Sequence, residues 1–187
     1  MNRNEKLEEL KLKLQSYGAL HPDAWAAIQD ILQITRLKTN ESFIRKDGQF
    51  AWLACGLLKE YNAAHRKRPA IVNFLATGDC LITRKHNKQY YLKACTEAVI
   101  YQIGEEQLQV LYQQFKELYP IYKSLCAEYD EEIAYRQFLL EQKLVPDRIK
   151  HFIQKKRHIL PLLTKKDIAN YLQLEYDYFI RFYSKIL

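Results

Sequence analysis

Residues 160–187 read LPLLTKKDIANYLQLEYDYFIRFYSKIL, and the fold turns on how this stretch is understood. Thr164 stands three residues before Asp167 and an apolar pair. That is the arrangement of a capping box, in which a hydroxyl and a carboxylate serve the free N–H groups of a new helix. Ile168, Ala169 and Leu172 then share one helical face. After a turn at Gln173, Leu174 precedes a second helix on which Phe179 and Phe182 repeat three apart. Two short helices that cross steeply need a small residue where the backbones approach, an apolar residue to close the turn and bulky residues to plug the gap. The stretch supplies all of these. In a helix-turn-helix the outward face of the second helix enters the major groove of DNA. The same pattern also suits two ordinary core-packing helices ending an all-α tail.

Charge is unevenly placed along the chain. Between 146 and 187 there are nine Lys or Arg against four acids, so this segment carries five of the seven net positive charges. A basic surplus on the segment with helix-turn-helix spacing favours a nucleic-acid partner, although ordinary solvated helices are often basic too. At 187 residues, 48% hydrophobic and 27% charged, the chain is long and apolar enough for one average domain plus a small one. Met1 to Leu14 alternates charges with leucines and lacks the apolar core of a signal peptide. No run approaches the roughly 20 apolar residues that span a bilayer, so the expected place is cytoplasmic, with no membrane partner.

Cys55, Cys80, Cys95 and Cys126 are far apart and form no CxxC, so they read as small core residues or free thiols. The five histidines are equally dispersed, and no HxH or HExxH spacing supports a metal site. No cofactor is expected. Nucleophile–base spacing is also missing, which makes an enzyme the weakest class.

Upstream of the tail the period of the pattern changes twice. Residues 5–37 read as helical, with Leu7, Leu10 and Leu14 on one face and Trp25, Ile28 and Leu32 on that of a second helix begun by Pro22. From about Ile34 to Ile103, short β-branched and aromatic segments (Ser42–Lys46, Ala51–Asn62, Ile71–Ala76, Tyr90–Ala94, Ala98–Ile103) alternate with Asp47-Gly48, His65–Pro69, Gly78-Asp79 and His86–Lys88. Strands at this spacing predict a compact antiparallel barrel or jelly roll. A helix from Gly104 to Tyr119 follows, then the longest one, Ile121 to about Lys143. Along it Tyr122, Leu125, Tyr129, Glu132, Arg136 and Leu140 recur at three- and four-residue steps, with Ile133 beside them. Such a seam suits pairing with a second copy; the alternative is a helix lying along its own β domain.

This order of elements resembles the cyclic-AMP receptor protein and fumarate-nitrate regulator family, Crp/Fnr, over about residues 20–187. Trp52-Leu53-Ala54-Cys55-Gly56-Leu57-Leu58-Lys59-Glu60-Tyr61 looks like the family's strand ending in a glycine and a basic-aromatic run. Phe74-Leu75-Ala76-Thr77-Gly78-Asp79 looks like its Gly-Asp or Gly-Glu turn into the effector pocket. Lys166 through Leu172, on to Arg181, is similar to its short helix-turn-helix. The resemblance implies an α+β fold: N-terminal helices and an antiparallel β-roll like a cyclic-nucleotide-binding domain (1–120), a long dimerisation helix and hinge (121–145), and an all-α helix-turn-helix (146–187). It implies a homodimer on double-stranded DNA through Tyr122, Leu125, Tyr129, Ile133, Arg136 and Leu140, with a small-molecule effector and RNA polymerase as further partners.

By the same resemblance the DNA-facing residues are Thr164, Lys165, Lys166, Glu175, Tyr176, Asp177, Tyr178, Arg181, Ser184 and Lys185, and Ile180 also faces the groove. Arg181 would fork onto guanine O6 and N7, while Lys155, Lys156 and Arg157 join Lys165, Lys166 and Lys185 as phosphate clamps. The effector pocket would be drawn from Trp52, Gly78, Asp79, Arg84 and Tyr91. The chain departs from the family in three places. Only about ten residues, Cys80 to Gln89, follow the Gly-Asp turn, without the glycine-rich turn and Arg-Ala pair that hold a cyclic phosphate, so cyclic AMP is not the expected effector. Gln173 replaces the turn glycine and must accept a left-handed backbone or a changed turn. Glu175 and Asp177 suit the helix dipole but repel phosphates. The rival reading is a Crp-like protein-interaction or ligand-sensing module that has lost sequence-specific DNA binding.

Overall fold

The computed structural model describes residues 2–64 and 68–186. Part of the expected turn at His65–Pro69 therefore lies outside the described residues. The chain opens with α1 (Arg3–Gln15), capped by the Asn2 side chain, which accepts from the Asn4 N–H. It continues with α2 (Pro22–Ile31), where Pro22 sits at the first helical position. Leu7, Leu10, Leu14, Trp25 and Ile28 are buried as their spacing predicts. Residues 33–37, expected to be helical, instead form β1 (Gln33–Leu37). Ile34 and Thr35 are β-branched, and a neighbouring strand was available to pair them.

Six more strands follow: β2 (Ser42–Phe43), β3 (Phe50–Cys55), β4 (Leu57–Asn62), β5 (Ala70–Ala76), β6 (Tyr91–Ala94) and β7 (Ala98–Ile103). They form two antiparallel sheets, in the orders β1-β7-β3 and β2-β6-β4-β5. The run Ala51–Asn62, expected as one strand, is two strands in different sheets. The chain crosses between them at Gly56, whose φ is +107° and where a Cβ would stand 2.5 Å from the Glu97 carbonyl oxygen. No side chain fits there, so the glycine sets the crossing.

Successive side chains of β3 serve two cores. Ala51 and Leu53 point into the roll, where they meet Leu58, Leu75, Leu92 and Ile100. Phe50, Trp52 and Ala54 belong to the other face, covered by α1, α2, α3 (Glu105–Gln114) and the first half of α4 (Leu118–Glu141).

The tail holds α5 (Val145–Lys155), α6 (Lys165–Tyr171) and α7 (Tyr176–Ile186). A third core joins them to the roll: Leu57, Ile71 and Phe74 from the four-stranded sheet pack with Leu139, Ile149, Phe152, Ile168, Tyr171, Leu172 and Phe179. The rings of Phe74, Phe152 and Tyr171 form a triangle with centroids 5.0, 5.3 and 6.2 Å apart. Helices α5, α6 and α7 thus share a core with the β-roll. Among the described residues no helix is long and apolar enough to cross a membrane.

Candidate nucleic-acid interface

Thr164 caps α6: its Oγ1 accepts from the Asp167 N–H at 3.1 Å. Only this half of the expected capping box forms. The Asp167 carboxylate accepts from the Thr164 hydroxyl at 2.7 Å and from the Lys59 ammonium at 3.1 Å. It is one methylene shorter than the glutamate that usually reaches back, and Lys59 on β4 draws it toward the sheet. Asn170 secures the same helix to β5, with Oδ1 accepting from the Ile71 N–H at 2.6 Å and Nδ2 donating to the Pro69 carbonyl at 3.1 Å.

The turn uses Gln173 at φ +53°, the left-handed backbone that the missing glycine requires. The Leu174 N–H then donates to the Ala169 carbonyl at 2.9 Å, and buried Ala169 lets the second helix approach. On α7, Phe179 and Tyr183 are buried, their rings 4.8 Å apart.

The other side of α7 is open. Glu175, Tyr176, Asp177, Tyr178, Arg181, Ser184 and Lys185 are exposed, as are Thr164, Lys165 and Lys166 beside them. Among the described residues Arg181 has neither an ion pair nor a hydrogen bond, so its guanidinium fork is uncommitted. Lys166 lies 5.9 Å from the ring centre of Tyr176 and Lys165 lies 5.8 Å from that of Tyr183. Ser184 donates back to the Ile180 carbonyl at 2.8 Å. Ile180, expected toward the groove, is half-buried against the third core, which removes the anomaly of an apolar residue at that position.

Several tail cations hold the fold. Lys156 is buried and donates to Glu132 at 2.5 Å, while Lys155 pairs with the other oxygen of Glu132 at 3.3 Å. Burial opposes the charge on Glu132, but Lys156 and then Lys155 outweigh it and hold the carboxyl below its usual range. Arg148 donates to the carbonyls of Leu172, Leu140 and Gln142. Arg148 and Lys156 therefore drop out of the positive surface that the net charge implied, and Lys155 contributes less to it.

The expected effector residues are dispersed. Trp52 is 1% exposed, lies in the first core beside Tyr101 and donates from Nε1 to the Gly78 carbonyl at 3.0 Å. Gly78, at φ +97°, makes the turn. Asp79 stabilises it by accepting from the Ala76 N–H at 2.7 Å; burial pushes its carboxyl up. Arg84 is clamped by both oxygens of Asp130 on α4. Tyr91 stacks on Tyr61 across the β4–β6 ladder, with ring centres 5.0 Å apart. As a ligand-facing set, Trp52 and Arg84 are corrected: one is sealed in the core and the other is held by a carboxylate.

Sequence reasoning missed the group between the roll and α4. Arg45 donates to Glu60 at 2.5 Å and to the carbonyls of Ile82 and Asn87. Tyr129 donates to Glu60 at 3.0 Å, and Asn87 donates to the Tyr129 hydroxyl at 2.8 Å. These four residues are buried. Glu60 and Tyr129 lay in view as a polar residue in an apolar strand and a tyrosine on the seam, but nothing in their spacing paired them.

The seam of α4 also needs correction. Leu125 and Tyr129 are 2% and 4% exposed within this one chain, and Tyr122 and Ile133 pack on the first core. Arg136 donates to the Tyr171 carbonyl at 3.2 Å and lies over its ring. Leu140 is half-buried, and its carbonyl accepts from Arg148. A helical stripe specifies that something apolar covers it, and here the chain's own roll and tail do so. The opposite face of α4 is exposed at Lys123, Ala127, Glu131, Ala134 and Phe138, again at three- and four-residue steps.

This architecture, a β-roll of the cyclic-nucleotide-binding type with a long helix and a helix-turn-helix, recurs in solved structures. FixK2 from Bradyrhizobium japonicum superposes with a TM-score of 0.73 at 16% identity, over 83% of this chain and 84% of that one. A transcriptional regulator assigned to the crp/fnr family, from Eubacterium rectale, gives 0.70 at 16% identity over 87% and 82%. A cyclic nucleotide-binding domain containing protein from Listeria monocytogenes gives 0.70 at 13% over 97% and 90%. At such identities the likeness establishes the fold. No sequence-family model matches the chain, nor does any curated protein by sequence.

Proposed function

We propose that this chain is a DNA-binding transcription regulator of the Crp/Fnr type, a homodimer reading a pseudo-palindromic site with its α7 helices. The observation that carries this reading is the open face of α7, where an uncommitted Arg181 projects from a helix-turn-helix that is capped at Thr164 and closed at Gln173. Lys165, Lys166 and Lys185 flank that face as phosphate contacts, which supply most of the affinity for a duplex. We place the dimer contact on the outward stripe of α4 around Ala127, Ala134 and Phe138, because the seam around Leu125 is covered. The effector is not cyclic AMP on this reading: Arg45, Glu60, Asn87 and Tyr129 are buried and bonded to one another between roll and helix, and Arg84 is held by Asp130. RNA polymerase is the further protein partner.

The test is retention of genomic fragments by the purified chain at physiological salt, read by sequencing. Enrichment of a two-fold-symmetric site is expected, and uniform retention would overturn the proposal. Glu175, Asp177 and the exposed rings of Tyr176 and Tyr178 favour one rival, a protein-interaction module built on this fold. That rival predicts no sequence-selective retention at all.

A further inference from the structure

A second polar space lies where the roll, α4 and the tail meet. Its volume is about 300 Å3, at the small end of ligand sites. The walls come from β5 and the Gly78–Asp79 turn, from the α4 residues Glu128 and Glu132, and from Lys155, Lys156 and His158 at the end of α5 and just beyond. Unlike the buried Arg45–Glu60–Asn87–Tyr129 group, this space is bounded by the segment that carries the helix-turn-helix.

Most of its charged groups are already paired. Glu128 accepts from Lys13 at 2.7 Å and from the Tyr17 hydroxyl at 2.6 Å. Glu132 serves Lys155 and Lys156. Three groups keep unused hydrogen-bonding capacity. Asn73 is 1% exposed; its Oδ1 accepts from the Phe74 N–H at 2.9 Å, and its Nδ2 has no partner among the described residues. A backbone N–H can only donate, so the amide oxygen must face it and the NH2 must face away. Asp79 uses one oxygen for the Ala76 N–H and has no ion-pair partner among the described residues. The Lys156 ammonium carries three protons and commits one of them to Glu132.

We propose that this cavity binds a small zwitterion of the α-amino-acid class, its carboxylate on the Asn73 amide and the Lys155–Lys156 ammonium groups and its ammonium on Asp79. A purely anionic ligand would face the Asp79 carboxylate, and a purely cationic one would face the lysines. A molecule carrying both charges satisfies each leftover group. Polar lining of this kind holds water when no ligand is bound, and a zwitterion replaces those contacts. Because the inference rests on the regulator reading, such a ligand would touch the roll and the tail at once, so it would favour whichever arrangement of the two fits it better.

The experiment is thermal unfolding and calorimetric titration of the full chain, without DNA, against the standard α-amino acids. Des-amino and decarboxylated analogues and cyclic AMP form the comparison arms. At least one amino acid should raise the melting temperature saturably. Its two analogues, and the variants Asp79→Asn and Lys155→Ala, should each weaken binding by roughly tenfold or more. Asn at 79 keeps an acceptor for the Ala76 N–H, and Lys155 is half-exposed, so both variants are expected to fold. Absence of binding by any amino acid, binding by cyclic AMP or the analogues alone, or unchanged affinity in both variants would overturn the proposal. DNA retention is read separately. Selective retention without amino-acid binding removes only the ligand, whereas amino-acid binding without retention removes only the regulator reading.

Discussion

The guanidinium of Arg148 donates to the carbonyl of Leu172 at 3.1 Å, tying α5 to the last turn of α6. Its other terminal nitrogen donates to Leu140 at 3.1 Å and Gln142 at 2.9 Å, at the end of α4. The final carbonyls of a helix lack partners within it, and one planar fork here serves two helix ends. Arg148→Ala should lower unfolding stability by about 1.5–3 kcal/mol in a urea titration, the range for hydrogen bonds to charged groups. Arg148→Lys should recover little of it, because an ammonium on a flexible stem does not span three carbonyls.

Breaking the buried group between roll and helix should cost more. Glu60→Gln leaves Arg45 buried without its counter-charge, with an expected loss of about 3–5 kcal/mol. Tyr129→Phe removes a hydroxyl only, and about 1–2 kcal/mol should go. Urea midpoints for the two variants check the order, and equal losses would contradict it.

Arg181→Ala should cost about 1–3 kcal/mol of DNA affinity and relax preference at one base pair. Lys166→Ala should weaken every sequence alike and flatten the salt dependence. Lys156→Met provides the contrast. As a buried partner of Glu132 it should lower stability while leaving the salt slope unchanged, which anisotropy titrations at several salt concentrations would show.

Acid should act on two carboxyls with opposite sign. Glu132 titrates below its usual range, so its pairing with Lys156 and Lys155 stabilises the chain above the ordinary carboxylate range and is lost as pH falls through the depressed value. Asp79 titrates above its usual range, so its charge opposes folding at neutral pH and protonation relieves that. Unfolding followed from pH 7 downward should show Glu132→Gln losing part of the acid sensitivity, and Asp79→Asn no less stable than the parent at pH 7.

On α4 the two faces should separate cleanly. Ala134→Glu or Phe138→Glu should shift sedimentation toward monomer without unfolding the chain. Leu125→Glu should unfold it, because that position lies in the first core. Monomer formation by Leu125→Glu with the fold intact would restore the inner seam as the contact.

The sequence revealed what local spacing governs. The Thr164 cap, the turn at Gln173 and the inward Phe179 all follow from residues within one or two helical turns of one another, whereas the outward place of Arg181 came from the family resemblance. Three features lay beyond it. Gly56 marks a change of sheet only once Glu97, distant in sequence, closes over it. The apolar stripe of α4 has the same period whether a second copy or the chain's own roll covers it. Arg45 and Glu60, like Arg148 and Leu172, meet through tertiary packing that no periodicity encodes, so cations counted as surface charge proved to be internal fasteners.

Asn170 carries a consequence of a different kind. β5 is the last strand of its sheet, and the Asn170 amide meets its backbone as a neighbouring strand would, offering one acceptor and one donor. A bare strand edge invites other chains to add to it. Swinging the tail away would therefore leave the sheet's flank sticky toward its own kind, so the helix-turn-helix segment also guards the protein against aggregation.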